Sequence, residues 1–275
     1  MEGERPSRAA CFARHDPVDF ALIMPTRYYA EPVVTLLARP AFTTPDHLPV
    51  NWIGESTGGE QLAEFAGRLC YMSQHNPAKR ETREYLENIK KQGHGSVLEH
   101  ANYSILLEGV SRSLTHELVR HRAGFAYSQL SQRYVDESEA SFVVPPAIIG
   151  DQALESAWRE QTEIAQKRYV ELVASLMERY GWVADKVHRR KMAREAARSV
   201  LPNATETKIV VTGNARAWRT MLELRSSEGA ELEIRRCAVM LLRLLQTEAP
   251  GFFSDFEIYV ADDRREAARI GYHKV

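Results

Sequence analysis

Arg120 to Tyr134 reads RHRAGFAYSQLSQRY. Arg120, His121, Arg122 and Arg133 are interleaved there with Ser128, Gln129, Ser131 and Gln132, and the stretch holds no Lys. A guanidinium is a planar fork of donors that grips a phosphate or a pyrimidine edge in one orientation, which an ammonium point charge does not do. Ser and Gln add neutral donors and acceptors. The combination suits a ligand carrying both phosphates and a polar ring, a nucleotide. An isolated RHR would read as a solvated basic helix face. Two features oppose that reading. Apolar Leu118 and Val119 precede the stretch, and Val135 follows Tyr134 at its end. Its polar run also contains no acidic partner, whereas a merely solvated face usually mixes signs.

The order RHR, eight residues, Ser131 and then Gln132-Arg133-Tyr134 resembles the signature of the flavin-dependent thymidylate synthases. Three further blocks stand in that family's order: GHGSVLEH (Gly93 to His100), LPNATETKIVVTGNARAW (Leu201 to Trp218) and LELRSSEGAELEIRR (Leu222 to Arg236). The resemblance runs from Leu62 to Tyr259. It implies an α+β fold with a mixed sheet and long helices, assembled as a homotetramer whose active sites form between subunits. It further implies FAD, NADPH and 5,10-methylenetetrahydrofolate, acting on dUMP or UMP. NADPH reduces the flavin, the one-carbon unit moves from the folate to C5 of uracil, and flavin hydride completes the methyl group. No protein nucleophile is required.

Composition is compatible with this. The chain has 275 residues, 44% of them hydrophobic and 27% charged, which is ordinary for a soluble globular protein. Net charge is -1, from 36 basic and 37 acidic residues, and this argues against binding a nucleic-acid polymer. No apolar run reaches the length of a membrane span, and MEGERPSRAACFARHD lacks a signal-peptide core, so a cytoplasmic protein is expected. Cys11, Cys70 and Cys237 are far apart and show no metal-binding spacing. Cys70 and Cys237 sit in apolar helical patterns and read as core residues.

Residues 1–16 read as a flexible extension and 17–275 as a single catalytic domain. Strands are expected over Val33–Leu37, Asn102–Gly109 and Lys208–Thr212. Helices are expected over Glu60–Tyr71, Glu81–Lys91, Ser111–His121, Ala153–Arg179, Asp185–Val200, Asn214–Leu224 and Leu232–Gln246. Phe252–Tyr259 reads as extended.

Arg120, His121 and Arg122 are consecutive and cannot share one helical face, so they are expected at a helix end, splayed toward different groups. No nucleophile elbow surrounds Ser131, and Ser131, Gln132 and Arg133 read as donors to a phosphate. His94, Ser96, Glu99 and His100 read on residues alone as a polar turn. The resemblance makes Ser96 a flavin contact, puts His94 near where the folate or pyridine nucleotide approaches, and adds Arg120, His121, Arg122, Gln129, Asn214, Ala215, Arg216 and Thr220 as cofactor contacts. It makes Arg112, Glu117, Arg120, Gln129, Leu130, Ser131, Gln132, Arg133, Arg198 and Arg225 substrate contacts, with Arg112 and Arg198 at the phosphate. Arg225 has two readings: an ion pair with Glu228, or the catalytic residue the resemblance implies, stabilising an ionised uracil. Glu195 and Arg198 read as an i,i+3 pair in which Glu195 orients Arg198.

Four positions depart from the commoner family pattern. Glu117 stands in place of Gln, Gly229 in place of His, Thr220 in place of His or Asn, and the spacer begins Ala123-Gly124-Phe125-Ala126. A family offshoot in polyoxin-type nucleoside-antibiotic pathways methylates UMP as well as dUMP. The departures are compatible with that relaxed choice, since a Glu117 carboxylate can accept a bond from an extra sugar hydroxyl.

Overall fold

The structure, a computed structural model, describes residues 26–273 and 275. The expected extension over residues 1–16, and Cys11 with it, lies outside the described residues.

Two long strands organise the molecule. In β3 (Asn102–Ser111) alternate residues Tyr103, Ile105 and Leu107 are buried, and in β6 (Glu206–Asn214) Thr207, Ile209 and Val211 are buried. That period of two is what a half-buried strand requires. They pair antiparallel from Asn102↔Asn214 to Ser111↔Glu206. β2 (Val33–Ala38) adds to the free side of β3 and β4 (Phe125–Gln129) to the free side of β6, giving the order β2-β3-β6-β4. Every pairing in this sheet is antiparallel, so the expected mixed sheet is corrected. β3 and β4 do run in the same direction, as strands joined through a helix tend to. β6 inserts between them and opposes both. Parallel pairing is confined, among the described residues, to two-residue β1 (Tyr28–Tyr29) and β5 (Phe142–Val143).

The helices are α1 (Gly58–Leu69), α2 (Thr82–Lys91), α3 (Arg112–Leu118), α4 (Gln152–Arg179), α5 (Lys186–Ala197), α6 (Ala215–Arg225), α7 (Leu232–Glu248) and α8 (Pro250–Phe253). One apolar cluster joins the inner face of the sheet to Trp218, Met221 and Leu222 of α6 and to Ile234, Leu241 and Leu245 of α7. Glu233 of α7 accepts from both the amide and the hydroxyl of Ser111, at 2.7 and 2.6 Å, and so fixes the junction of β3 and α3 against α7. Phe252–Tyr259 is not extended throughout: Pro250 opens α8 at a position where its missing N–H is harmless, and only Phe256–Val260 forms strand β7, paired with β8 (Glu266–Ile270). Cys237 is buried, but Cys70 is exposed, because α1 ends at Leu69 and Cys70 begins the turn beyond it.

Arg219 of α6 is almost wholly buried and holds Asp255 through both guanidinium nitrogens, at 2.6 and 2.9 Å, while Lys90 of α2 reaches the same carboxylate at 3.1 Å. Burial alone would push the Asp255 carboxyl up, but the Arg219 hydrogen bonds and the Arg219 and Lys90 charges outweigh it and hold it below the usual range. Removing one partner of a buried ionic cluster strands the remaining charges. Asp255→Ala is therefore expected to destabilise the fold by about 3–5 kcal/mol, measured by urea unfolding. A loss below about 1 kcal/mol would show that the cluster is not what joins α2, α6 and the β7 segment.

Candidate active site

The N-terminus of α6 and the turn after α3 face each other across a cleft of about 380 Å³. Asn214 makes this possible. It has extended backbone, its Oδ1 accepts from the Ala217 amide at 2.8 Å, and its own amide donates to Gly124 O at 3.2 Å. Gly124 has φ +76°, and a Cβ there would lie 2.7 Å from Asn214 Nδ2 and 2.8 Å from Ala217 Cβ. Only glycine lets the turn lie so close to the helix start. Arg122, Asn214, Arg216 and Thr220 line the cleft with Phe125 and Ala217. Glu99 also lines it, and accepts from Arg216 at 2.6 Å. The guanidiniums and helix N-terminus suit an anionic group, and the Phe125 ring supplies an apolar surface.

Arg225, the last residue of α6, reaches back to the α3 turn. Its Nη1 donates to Glu117 Oε2 at 2.7 Å and its Nε to His121 Nε2 at 3.0 Å. The alternative partner, Glu228, instead accepts from the Tyr259 hydroxyl at 2.7 Å. An Nε2 that accepts from a guanidinium carries no proton, so His121 is the neutral Nδ1–H tautomer. Burial, then the Arg225 charge, holds its pKa below the ordinary histidine value. The Tyr127 hydroxyl bridges the Leu118 and His121 carbonyls at 3.0 and 2.6 Å and steadies the turn.

A second cluster lies at the start of α3. Arg112 is partly buried, and burial, followed by the charge of Arg198, holds its pKa down despite the opposing pull of Glu137. Its Nη1 reaches Leu130 O at 3.5 Å. Gln129 Nε2 donates to Thr115 Oγ1 at 3.0 Å and to Thr207 Oγ1 at 3.4 Å, which ties its amide to α3 and β6. Ser131 Oγ accepts from the Arg133 amide at 3.4 Å.

One expectation is corrected by these contacts. Glu195 does not pair with Arg198; its Oε2 accepts from Arg133 Nε at 2.9 Å, because α5 presents it to the segment after β4. Gln132 is 5% exposed and turned into the protein, not toward open space. Ala215 is fully buried, and its amide is taken by Ala101 O at 2.8 Å. His94, Ser96 and Arg120 are exposed and stand outside the lining of this cleft. The polar-turn reading of residues 94–100 is right in form, since Gly95–His100 is a 3-10 segment. Glu99 and Phe125 belong to the cleft although the motif reading gave them no role there. Glu99 lay inside GHGSVLEH, but its charge partner is more than a hundred residues away.

Residues 53–251 match the family model described as thymidylate synthase complementing protein. The flavin-dependent thymidylate synthase of Mycobacterium sp. (strain JLS) is 50% identical over 243 residues, covering 86% of this chain and 94% of that protein. Those of Mycobacteroides abscessus and Mycobacterium tuberculosis are 48% identical over 237 residues, with the same coverage. This chain belongs to the flavin-dependent thymidylate synthase family. The family match spans both clusters, from Glu99 to Arg225.

Because the His121 ring accepts from Arg225, protonating it breaks that bond. Its imidazole nitrogen resonances are expected to report the Nδ1–H tautomer at pH 7 and to titrate below the usual histidine value of about 6.5. Titration at or above that value would contradict the Arg225–His121 bond.

Proposed function

We propose that this chain is a uridylate C5-methylating enzyme that converts dUMP to dTMP, with FAD bound, methylenetetrahydrofolate as carbon donor and NADPH as reductant. The observation that carries the reading is Arg225, held at its Nη1 by Glu117 and at its Nε by His121, beside a cleft that fits a flavin nucleotide. Arg122 supplies positive charge, as does Arg216 from its pair with Glu99, the α6 N-terminus adds the positive end of its dipole, and Phe125 and Ala217 form an apolar wall. That donor set matches a phosphate-linked group with a flat ring. When bound, FAD supplies the hydride chemistry, and the protein supplies position and charge.

Arg225 does this by presenting a guanidinium whose orientation is set before substrate arrives. Placed against the N3–C4 edge of uracil, it stabilises negative charge there and so favours electron density at C5. Glu117 and His121 contribute by removing its freedom to rotate. Arg112 and Arg198 lie near each other and are assigned to the phosphate, where their mutual repulsion is relieved by an incoming anion. His94, Ser96 and Arg120 are exposed outside the cleft lining of one protomer, and we assign them to sites shared between the subunits of a homotetramer.

A second reading extends the substrate to UMP. Glu117 uses Oε2 for Arg225, so Oε1 is the oxygen open to a ribose 2′-hydroxyl. Gly229, near Arg225 in sequence, has open space where a side chain would be. The named relatives are thymidylate synthases, which favours dUMP as the main substrate.

Arg225→Ala is expected to retain FAD, visible in the flavin absorption band, and to lose about 10²–10³ in kcat, the scale of one preorganised charge-stabilising donor. Retained turnover would remove Arg225 from the chemistry. With dUMP and UMP in direct competition, Glu117→Gln is expected to shift the kcat/KM ratio toward dUMP. The same ratio in parent and mutant would sink the role given to Glu117 in sugar choice.

A further inference from the structure

Glu137 follows the Ser131–Arg133 segment and is 6% exposed. Its Oε1 is buried without a hydrogen-bond partner among the described residues, and so is the Nε2 of Gln132. A buried carboxyl left this way is costly to the fold unless it is neutral or serves a purpose. Of the charges acting on Glu137, Arg112 is the strongest. Glu206 of β6 and Asp136 oppose it, and Asp136 is itself paired with Arg194 of α5 at 2.6 Å. On the α4 side the Tyr169 hydroxyl accepts from the Glu137 amide at 3.3 Å. Burial pushes the Glu137 carboxyl up to about 7, although Arg112 and Gln132 pull it down.

We propose that Glu137 is the positioning residue of the phosphate end, and that it takes up a proton from solvent as a phosphate monoester dianion docks on Arg112 and Arg198. This rests on assigning those two arginines to the substrate phosphate. With Glu137 ionised, part of the Arg112 charge is already neutralised. A dianion brought to the same guanidinium places like charges close together in a poorly solvated site. Protonation of Glu137 removes that repulsion and leaves both guanidiniums to the phosphate. The Gln132 amide, buried beside the carboxyl, can donate to either of its forms.

The direction with pH follows. In the free protein Glu137 is protonated below about 7 and ionised above it. Affinity for the dianion is therefore full below that value and falls as pH rises through it, by at most about tenfold per pH unit. The phosphate itself is already a dianion above its second pKa of about 6, so its own titration does not imitate the effect in that window.

The test uses the FAD-loaded protein with saturating methylenetetrahydrofolate and NADPH, and dUMP varied. Between about pH 7 and 8.5 the dUMP KM of the parent is expected to rise about tenfold, with kcat changing less than about twofold. Glu137→Gln, which mimics the neutral carboxyl, is expected to keep a low and nearly flat KM over the same range. Equal rises in parent and variant would overturn the proposal. Calorimetric titration of the unmutated protein with dUMP, in two buffers of different ionisation enthalpy, gives an answer even where the variant fails to fold. Proton uptake is expected, and its absence overturns the proposal. An active parent without proton uptake defeats this inference alone, whereas a parent that neither binds nor methylates dUMP defeats the phosphate assignment and the proposed function together.

Discussion

The antiparallel pairing of β6 with both β3 and β4 is the constraint on which the rest of the molecule depends. It sets the end of β6 at Asn214, directly across from Asn102 and next to the Gly124 turn. Asn214 then ends the strand and caps α6 with one side chain. From that point the helix has a fixed start and direction, and its eleven residues carry Arg225 back to Glu117 and His121. A slip of β6 by one residue would turn Ile209 and Val211 out of the core, so the hydrophobic pattern itself protects the register. The position of a polar cluster is in this way inherited from apolar packing.

Two kinds of charge pairing coexist on α6. Arg219 and Asp255 are sealed from water, and their role is structural, tying α2, α6 and the β7 segment together. Arg225 and Glu117 are each about a quarter exposed, at the edge of a cleft. A pair of the first kind is expensive to break. The second kind lies where solvent and a ligand can reach it, with the guanidinium held in place by Glu117 and His121. The five residues between Arg219 and Arg225 turn one helix from core to site.

Much of this was legible in the chain. The period-two pattern at Tyr103, Ile105 and Leu107 reads as a strand without help, and Asn214 before Ala215 reads as a helix cap. The helix-end placement of Arg120 and His121 followed from their being adjacent. What failed did so for identifiable reasons. β4 runs through Phe125–Gln129, where the Phe125 and Tyr127 rings alternate with Ala126 and Ser128, and its strand pattern is too short to stand out from the polar motif around it. Cys70 looked like core because periodicity was extended two residues past the true end of α1. The Glu195–Arg198 pair satisfied helix spacing, yet Arg133 arrived from another element and took the carboxylate.

The sequence by itself determined the residue types, their order and their local geometry: a guanidinium-rich turn, a capped helix ending in Arg, and apolar strands with a fixed inner face. These depend on interactions within a few residues. Tertiary structure alone decided which charges meet. Glu117 with Arg225, Glu99 with Arg216 and Arg112 with the buried Glu137 are each separated by 25 to more than a hundred residues. Coulombic and hydrogen-bonding choices of that kind depend on distance in space and on the exclusion of water. Neither quantity exists until the sheet and its helices have packed.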